Sequence, residues 1–189
     1  MFRSLPNLLT AVRLVLVPFI AASLWNHQPR RALALVFLAG VTDAIDGWLA
    51  RRFGWATRMG AYLDPVADKS LLVTLYLLFG ITGIVPLWLT AIVLGRDIFI
   101  LLMVAAGFAF TDVREFPPSV WGKLSTIVQI GAAVGFLANA AHMPSVPSSM
   151  IEVFVFATAL ATLWSGFDYG RRGFSILRRV RIDAGQSRR

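Results

Sequence analysis

Residues 32–69 read ALALVFLAGVTDAIDGWLA, RRFGWATRMGAY and LDPVADK in succession: an apolar run ending in two aspartates, a short basic connection, and two more aspartates opening the next apolar run. A run of about 20 mostly apolar residues is the length of a bilayer-spanning helix. An ionised side chain left alone at the centre of such a helix costs about 2.5–3.5 kcal/mol on insertion scales, so charges there are expected to have partners, water or a task. Asp43 and Asp46 are three apart, and Asp64 and Asp68 are four apart. Each pair therefore shares a helix face. A hairpin of the two runs brings all four carboxylates to a similar depth, as one site.

The rest of the chain extends the same pattern. Of its 189 residues, 57% are hydrophobic and 15% charged, with a mean hydropathy of +0.70; soluble domains have about 45–50% apolar and about 25% charged residues. An ordinary soluble domain is excluded. Six segments are long and apolar enough to span, at about 8–25, 32–50, 63–82, 86–110, 119–141 and 151–169. Between them lie breakers such as Asn26-His27-Gln28-Pro29, Gly80 to Pro86, Phe116-Pro117-Pro118 and Pro144 to Pro147. The expected fold is an all-α integral membrane protein, a six-helix bundle, with residues 1–170 as the membrane domain and 171–189 as a basic tail.

Charge sets the orientation. With the N-terminus in the cytoplasm, 13 of the 18 basic residues fall on the cytoplasmic side, from Arg3 through Arg51, Arg52, Arg58, Arg114 and Lys123 to the seven arginines after residue 170. Only Arg30 and Arg31 fall opposite, which predicts N-in and C-in. The formal charge of +8 is thus accounted for by topology, without a nucleic-acid partner. Arg13 and Pro18 interrupt the first apolar run, which argues against a cleaved signal peptide. In the tail, Phe174, Leu177 and Val180 at helical spacing among arginines read either as an interfacial helix on anionic lipid or as positive-inside charge.

Four neighbouring carboxylates need a compensating cation, because like charges oppose one another's ionisation. The chain has no cysteine, and its two histidines, His27 and His142, belong to the far side of the expected bundle. Oxygen-only donors select hard cations, Mg²⁺ or Mn²⁺, with Ca²⁺ a weaker option. The number of carboxylates suits two ions bridging a phosphate. The competing reading is a structural ion network with Arg51, Arg52, Arg58 and Lys69.

In full, the pattern is Asp43-x2-Asp46-Gly47-x2-Ala50-Arg51-x8-Gly60-x3-Asp64-x3-Asp68. It resembles the signature of the CDP-alcohol phosphatidyltransferase family at every fixed position. Pro6-Asn7-Leu8-Leu9-Thr10 followed by Arg13, and Leu63-Asp64-Pro65-Val66-Ala67-Asp68-Lys69, are similar to the phosphatidylglycerophosphate synthase and CMP-forming cardiolipin synthase subgroup. The resemblance implies that Asp43, Asp46, Asp64 and Asp68 hold two divalent metals on the pyrophosphate of a CDP-linked lipid, with Asp68 as general base. It further implies that Asn7, Thr10, Gly47, Ala50, Arg51 and Gly60 approach the nucleotide or pyrophosphate. Physical chemistry agrees: a glycine lets a ligand come close to backbone, and an arginine fork matches a pair of phosphate oxygens.

The reaction so implied moves the phosphatidyl group of CDP-diacylglycerol to a glycerol-type acceptor and releases CMP, at the cytoplasmic face of the cell's inner membrane. A cavity between spans one to four is expected, with a lateral opening for the acyl chains. Arg96 and Lys123 are candidates for an anionic acceptor, although Arg96 and Asp97 could also merely neutralise one another in the membrane. Phosphatidylglycerophosphate synthases often have Arg-Glu at Arg96-Asp97 and Gly-Lys-x-Lys-Thr at Gly122-Lys123-Leu124-Ser125-Thr126. The missing second lysine tilts the acceptor towards phosphatidylglycerol, with glycerol-3-phosphate as the alternative. A divalent-cation transporter and an aspartate-rich prenyltransferase are the competing classes. The first lacks a visible repeat; the second needs its aspartate motifs on distant helices. Homodimerisation is implied by the family, and Gly131, Gly135, Ala138, Ala157 and Ala161 offer small-residue packing faces.

Overall fold

The computed structural model describes residues 5–53, 58–110, 119–143 and 147–186, and the regular structure in them is helical throughout. The helices are α1 (Leu5–Trp25), α2 (Pro29–Phe53), α3 (Arg58–Ile81), α4 (Leu87–Phe110), α5 (Val120–Ala140) and α6 (Ser148–Gln186). Each contains most or all of one of the six predicted segments. Side chains of residues 5–9, 46, 49–51, 58–65, 108–110, 148 and 174–186 lie outside the described part.

Three stretches, Leu87–Gly107, Val120–Ala140 and Ser149–Gly173, are long and apolar enough to cross a membrane, and α1 adds a shorter apolar stretch, Thr10–Trp25. Helices α2 and α3 carry the aspartates and several basic residues, which lower their hydropathy. Large apolar side chains such as Phe37, Leu101, Ile127 and Leu160 stand well exposed on four different helices. A surface of that kind is a liability in water and ordinary against lipid.

Local chemistry explains the helix ends. Helix α1 stops where His27 takes a left-handed conformation (φ 52°) and the Gln28 N–H reaches back to Ser23 O at 2.8 Å. Helix α5 stops the same way, with His142 at φ 55° and the Met143 N–H on Ala138 O at 3.0 Å. This is the usual left-handed helix stop, with histidine where glycine is commonest. Gly83 (φ 73°) supplies the turn between α3 and α4. At the start of α5, Ser119 caps the helix through its Oγ, which accepts from the Gly122 N–H at 2.9 Å.

The apolar core occupies one end of the bundle, where Ile20, Leu24, Leu75, Phe79, Leu89, Phe136 and Leu137 are fully buried. Tyr76, Phe79, Phe136 and Phe154 follow one another there in edge-to-face contacts. Helix α1 packs on α2 and α3, α5 on α2, α3 and α6, and α4 on α3 and α6. A cavity of about 410 Å³ is walled, among the described residues, by α1, α2, α3 and α5, with α5 where the fourth helix was expected. The buried small residues Ala132 and Ala133 bring α5 close against the group, while α4 lies outside it. Of the small-residue positions, Gly135 receives the Phe154 ring of the same chain, and Gly131 faces open space.

Helix α6 departs from expectation in length. Its 39 residues run from the last span into the basic tail as one unbroken helix, so no helix boundary falls at residue 170. At 1.5 Å per residue the helix is about 58 Å long, nearly twice the hydrocarbon thickness of about 30 Å.

Candidate active site

The polar end of the cavity is built around Arg13. This residue sits on the third turn of α1 and is only 1% exposed. Its Nη1 donates to Asp68 Oδ1 on α3 at 2.6 Å, and its Nη2 donates to Asp43 Oδ1 on α2. One planar guanidinium thus ties together three helices, with both carboxylates about half exposed. A fork with donors fixed in one plane is suited to this, and a lysine ammonium is not. Thr10, one turn before Arg13, is also fully buried.

The walls beyond this charged end are Val36, Phe37, Leu71, Leu72, Leu75, Ile130 and Val134. The cavity is therefore amphipathic: two carboxylates and a guanidinium at one end, hydrocarbon along the rest.

The helical backbone places Asp46 one turn along α2 from Asp43, and Asp64 one turn along α3 from Asp68. The side chains of Asp46, Asp64, Ala50, Arg51, Gly60 and Asn7 lie outside the described part. Gly47 is half-buried on α2. Of the four predicted metal carboxylates, Asp43 and Asp68 are thus seen to share one cavity. Of the competing ion network, Arg51 and Arg58 lie outside the described side chains; among the described residues Arg13 pairs with Asp43 and Asp68, and Lys69 pairs with Asp97. Carboxylate oxygens on two facing helices remain a donor set that fits a hard divalent cation.

A second polar cluster joins α3, α4 and α6. Arg96, 8% exposed, donates through Nη1 to Asp97 Oδ1 at 2.7 Å and through Nη2 to Ser165 Oγ at 2.6 Å. Its guanidinium carbon lies 5.6 Å from the centre of the Tyr169 ring, within cation–π range. The Tyr169 hydroxyl accepts from the Ser119 N–H at 3.1 Å, which links the cluster to the capped start of α5. Lys69 Nζ lies 2.6 Å from the same Asp97 Oδ1. Arg96 and Asp97 thus neutralise each other, one of the two outcomes considered for them, and Lys69, the residue after Asp68, shares their oxygen. Lys123 is exposed on α5, and among the described residues nothing joins it to Arg96.

Between α5 and α6 runs a buried polar seam. Gln129 Nε2 donates to Thr162 Oγ1 at 3.0 Å and to Ser125 Oγ at 3.4 Å, and the Tyr76 hydroxyl donates to Gln129 O at 2.9 Å. Ser125 is fully buried there. Ser165, Tyr169 and this seam carry no sequence signal beyond polar residues recurring on α6 at Thr158, Thr162, Ser165 and Tyr169, spacings of four, three and four that share one helix face.

The family profile of CDP-alcohol phosphatidyltransferase matches residues 3–164. A probable phosphatidylglycerophosphate synthase of Mycobacterium tuberculosis is 34% identical over 96% of this chain and 87% of its own length. A CDP-diacylglycerol–glycerol-3-phosphate 3-phosphatidyltransferase of Haemophilus influenzae is 30% identical over 88% of this chain and 91% of its own. A probable CMP-forming cardiolipin synthase of Drosophila melanogaster is 36% identical over 64% of this chain and 37% of its own. The profile covers the carboxylate helices, the Arg13 fork and most of the Arg96 cluster together, and the chain belongs to the CDP-alcohol phosphatidyltransferase family, enzymes of phospholipid synthesis that generally depend on a divalent metal.

Proposed function

We propose that this enzyme transfers the phosphatidyl group of CDP-diacylglycerol to the hydroxyl of a glycerol-type acceptor at the Asp43/Asp68 end of the cavity. The observation that carries the reading is the Arg13 fork at one end of an otherwise largely apolar cavity. A CDP-linked lipid has the same division, with a charged pyrophosphate at one end and two acyl chains that must stay in hydrocarbon. The cavity walls between α2 and α5 suit the chains, and the charged end suits the pyrophosphate.

Asp68 takes the proton of the acceptor hydroxyl as that oxygen attacks the phosphorus bearing diacylglycerol. The bond from phosphorus to the CMP oxygen breaks, and CMP leaves with the electron pair. Arg13 orients the Asp68 carboxylate for this step and holds Asp43 beside it. Asp43, Asp46, Asp64 and Asp68 would hold two Mg²⁺ or Mn²⁺ ions, which supply charge neutralisation at the pyrophosphate. Asn7, Thr10, Gly47, Ala50, Arg51 and Gly60 approach the nucleotide. Arg96 and Lys123 receive the acceptor's negative charge.

The acceptor favoured is phosphatidylglycerol, giving cardiolipin. Ser125 supports this, since it stands where a second lysine would serve a phosphomonoester and is buried against Gln129. Glycerol-3-phosphate is the second reading, favoured by the names of relatives matched along nearly the whole chain. Six spans, N-in and C-in topology in the inner membrane, a cytoplasm-facing site and a homodimer complete the proposal.

The test is CMP release from CDP-diacylglycerol by the purified protein in detergent with Mg²⁺ or Mn²⁺, offering the two acceptors in parallel and identifying the lipid product. Cardiolipin formed only with phosphatidylglycerol supports the favoured reading. Release only with glycerol-3-phosphate selects the second. Divalent-cation flux in proteoliposomes without CMP release would replace both with a transporter.

A further inference from the structure

At the end of the bundle away from Asp43 and Asp68, the turn between α1 and α2 meets the end of α5 in an open groove of about 490 Å³. His27, Gln28, Arg30, Arg31, Ala141 and His142 line it. Asp43 lies thirteen residues beyond Arg30 on α2, about 20 Å away along the helix. Arg30 and Arg31 are exposed and occupy the first turn of α2, which holds no acidic residue. The positive end of a helix disfavours cations and favours an anion. Among the described residues no carboxylate pairs with either arginine. Arg30 Nε donates across the groove to Ala141 O at 3.1 Å, which fixes the guanidinium and commits one of its five donors. The contact of Arg31 Nη1 with Gln28 Oε1 is long, at 3.5 Å. Both helix ends on the groove carry histidine, at φ 52° and 55°, where glycine would sit without strain. Each imidazole brings an N–H donor to the lining.

The surroundings of the groove are those of a membrane surface. Trp25, two residues before His27, and Trp88, at the start of α4, are exposed, as tryptophans are at headgroup level. Phe37 and Val134, which wall the apolar part of the main cavity, lie two helical turns from Arg30 and from the α5 cap Ala141, on two helices that pack together. Basic groove and apolar wall thus follow one another along a single α2–α5 seam.

We propose that this groove binds the phosphate of an anionic phospholipid in the leaflet opposite the catalytic carboxylates, with an acyl chain lying along the α2–α5 seam. The inference rests on the membrane-spanning reading of these helices given above. Arg30, Arg31 and the two imidazoles hold the phosphate oxygens. Two cations without a carboxylate favour a headgroup that has no cation of its own, so a zwitterionic phospholipid is held less tightly. Free phosphate has the same oxygens but leaves Phe37 and Val134, both exposed, without a partner.

Native mass spectrometry of the full chain in detergent measures lipid retention. The probe is phosphatidylethanol, a singly charged phosphodiester without a hydroxyl to act as acceptor, and the control is phosphatidylcholine with the same acyl chains. The wild type is expected to bind phosphatidylethanol about tenfold more tightly than phosphatidylcholine. Arg30→Gln/Arg31→Gln is expected to weaken phosphatidylethanol about 30-fold, the scale of losing two cations beside an anionic headgroup, with kcat and the KM for CDP-diacylglycerol unmoved. Unchanged affinity in this variant, or equal retention of the two lipids by the wild type, overturns the proposal. Inorganic phosphate that displaces the lipid at equal concentration makes the groove a free-anion site and also overturns it. Should the double variant fail to fold, Arg31→Gln gives up only the long contact with Gln28 and is expected to weaken the lipid about fivefold; no change overturns the proposal. Because the chain has no cysteine, Arg31→Cys and Lys123→Cys report sidedness. In sealed vesicles of one orientation, a membrane-impermeant maleimide is expected to reach the two positions from opposite sides. Labelling of both from one side removes the opposite leaflet and the spanning reading with it, whereas lipid selectivity absent with sidedness kept strikes this groove alone.

Discussion

Among the described residues two arginines have buried side chains, Arg13 and Arg96, and their surroundings differ in kind. Arg13 is held by carboxylates 30 and 55 residues away, each on a different helix and each half exposed to the cavity. Arg96 is held by its own sequence neighbour on α4 and by a serine hydroxyl and an aromatic face on α6. The first arginine binds groups that are themselves available to a substrate. The second is engaged through both Nη groups inside the protein, and the half-exposed Lys69 shares its Asp97. The contrast separates an arginine that ties three helices together at half-exposed carboxylates from one held inside the packing of α4 against α6.

The comparison breaks most visibly at Arg13. Arg13→Met leaves Asp43 and Asp68 without their shared cation, and turnover is expected to fall by about a thousandfold. Stability should drop by about 3 kcal/mol, the lower end for breaking a buried pair because both carboxylates keep some solvent; CMP release and thermal unfolding in detergent measure the two effects. Arg13→Lys keeps the charge but not the fork, and an intermediate loss of about 30-fold in kcat is expected from the same assay. Arg96→Lys should act differently, raising the KM for the acceptor about tenfold with little change in the KM for CDP-diacylglycerol. An equal effect on both substrates would erase the distinction between the two arginines. Tyr169→Phe is the mildest change. It removes the hydroxyl that accepts from the Ser119 N–H and is expected to cost about 1 kcal/mol of stability, read from the unfolding midpoint.

The carboxylates were legible because a bilayer makes every internal charge conspicuous: Asp43, Asp46, Asp64 and Asp68 stand out in an apolar background, and their spacing follows from helix geometry alone. All six helices were legible for the same reason. The partner of Asp43 and Asp68 was not. Arg13 could be seen as an intramembrane charge, but pairing across 30 and 55 residues depends on how α1 rotates against α2 and α3, which local periodicity does not encode. The share of α5 in the cavity walls was not legible on the same ground. Short connections suggest that neighbouring helices enclose the site, whereas Ala132 and Ala133 bring α5 in against α2 and α3. Ser165 and Tyr169 escaped notice because a buried serine or tyrosine looks ordinary in any helix until its partner is known. The continuity of α6 past residue 170 was hidden by composition, since a change from apolar to basic residues marks the edge of a membrane and not the end of a helix.

The most direct test of the account is to replace Asp68 by Asn and to measure CMP release from CDP-diacylglycerol together with Mn²⁺ binding by electron paramagnetic resonance. The substitution keeps the size of the side chain and removes its ability to take a proton. The account predicts that Mn²⁺ still binds, while turnover falls by about a thousandfold, the scale of losing a positioned general base. Turnover close to that of the wild type would contradict it.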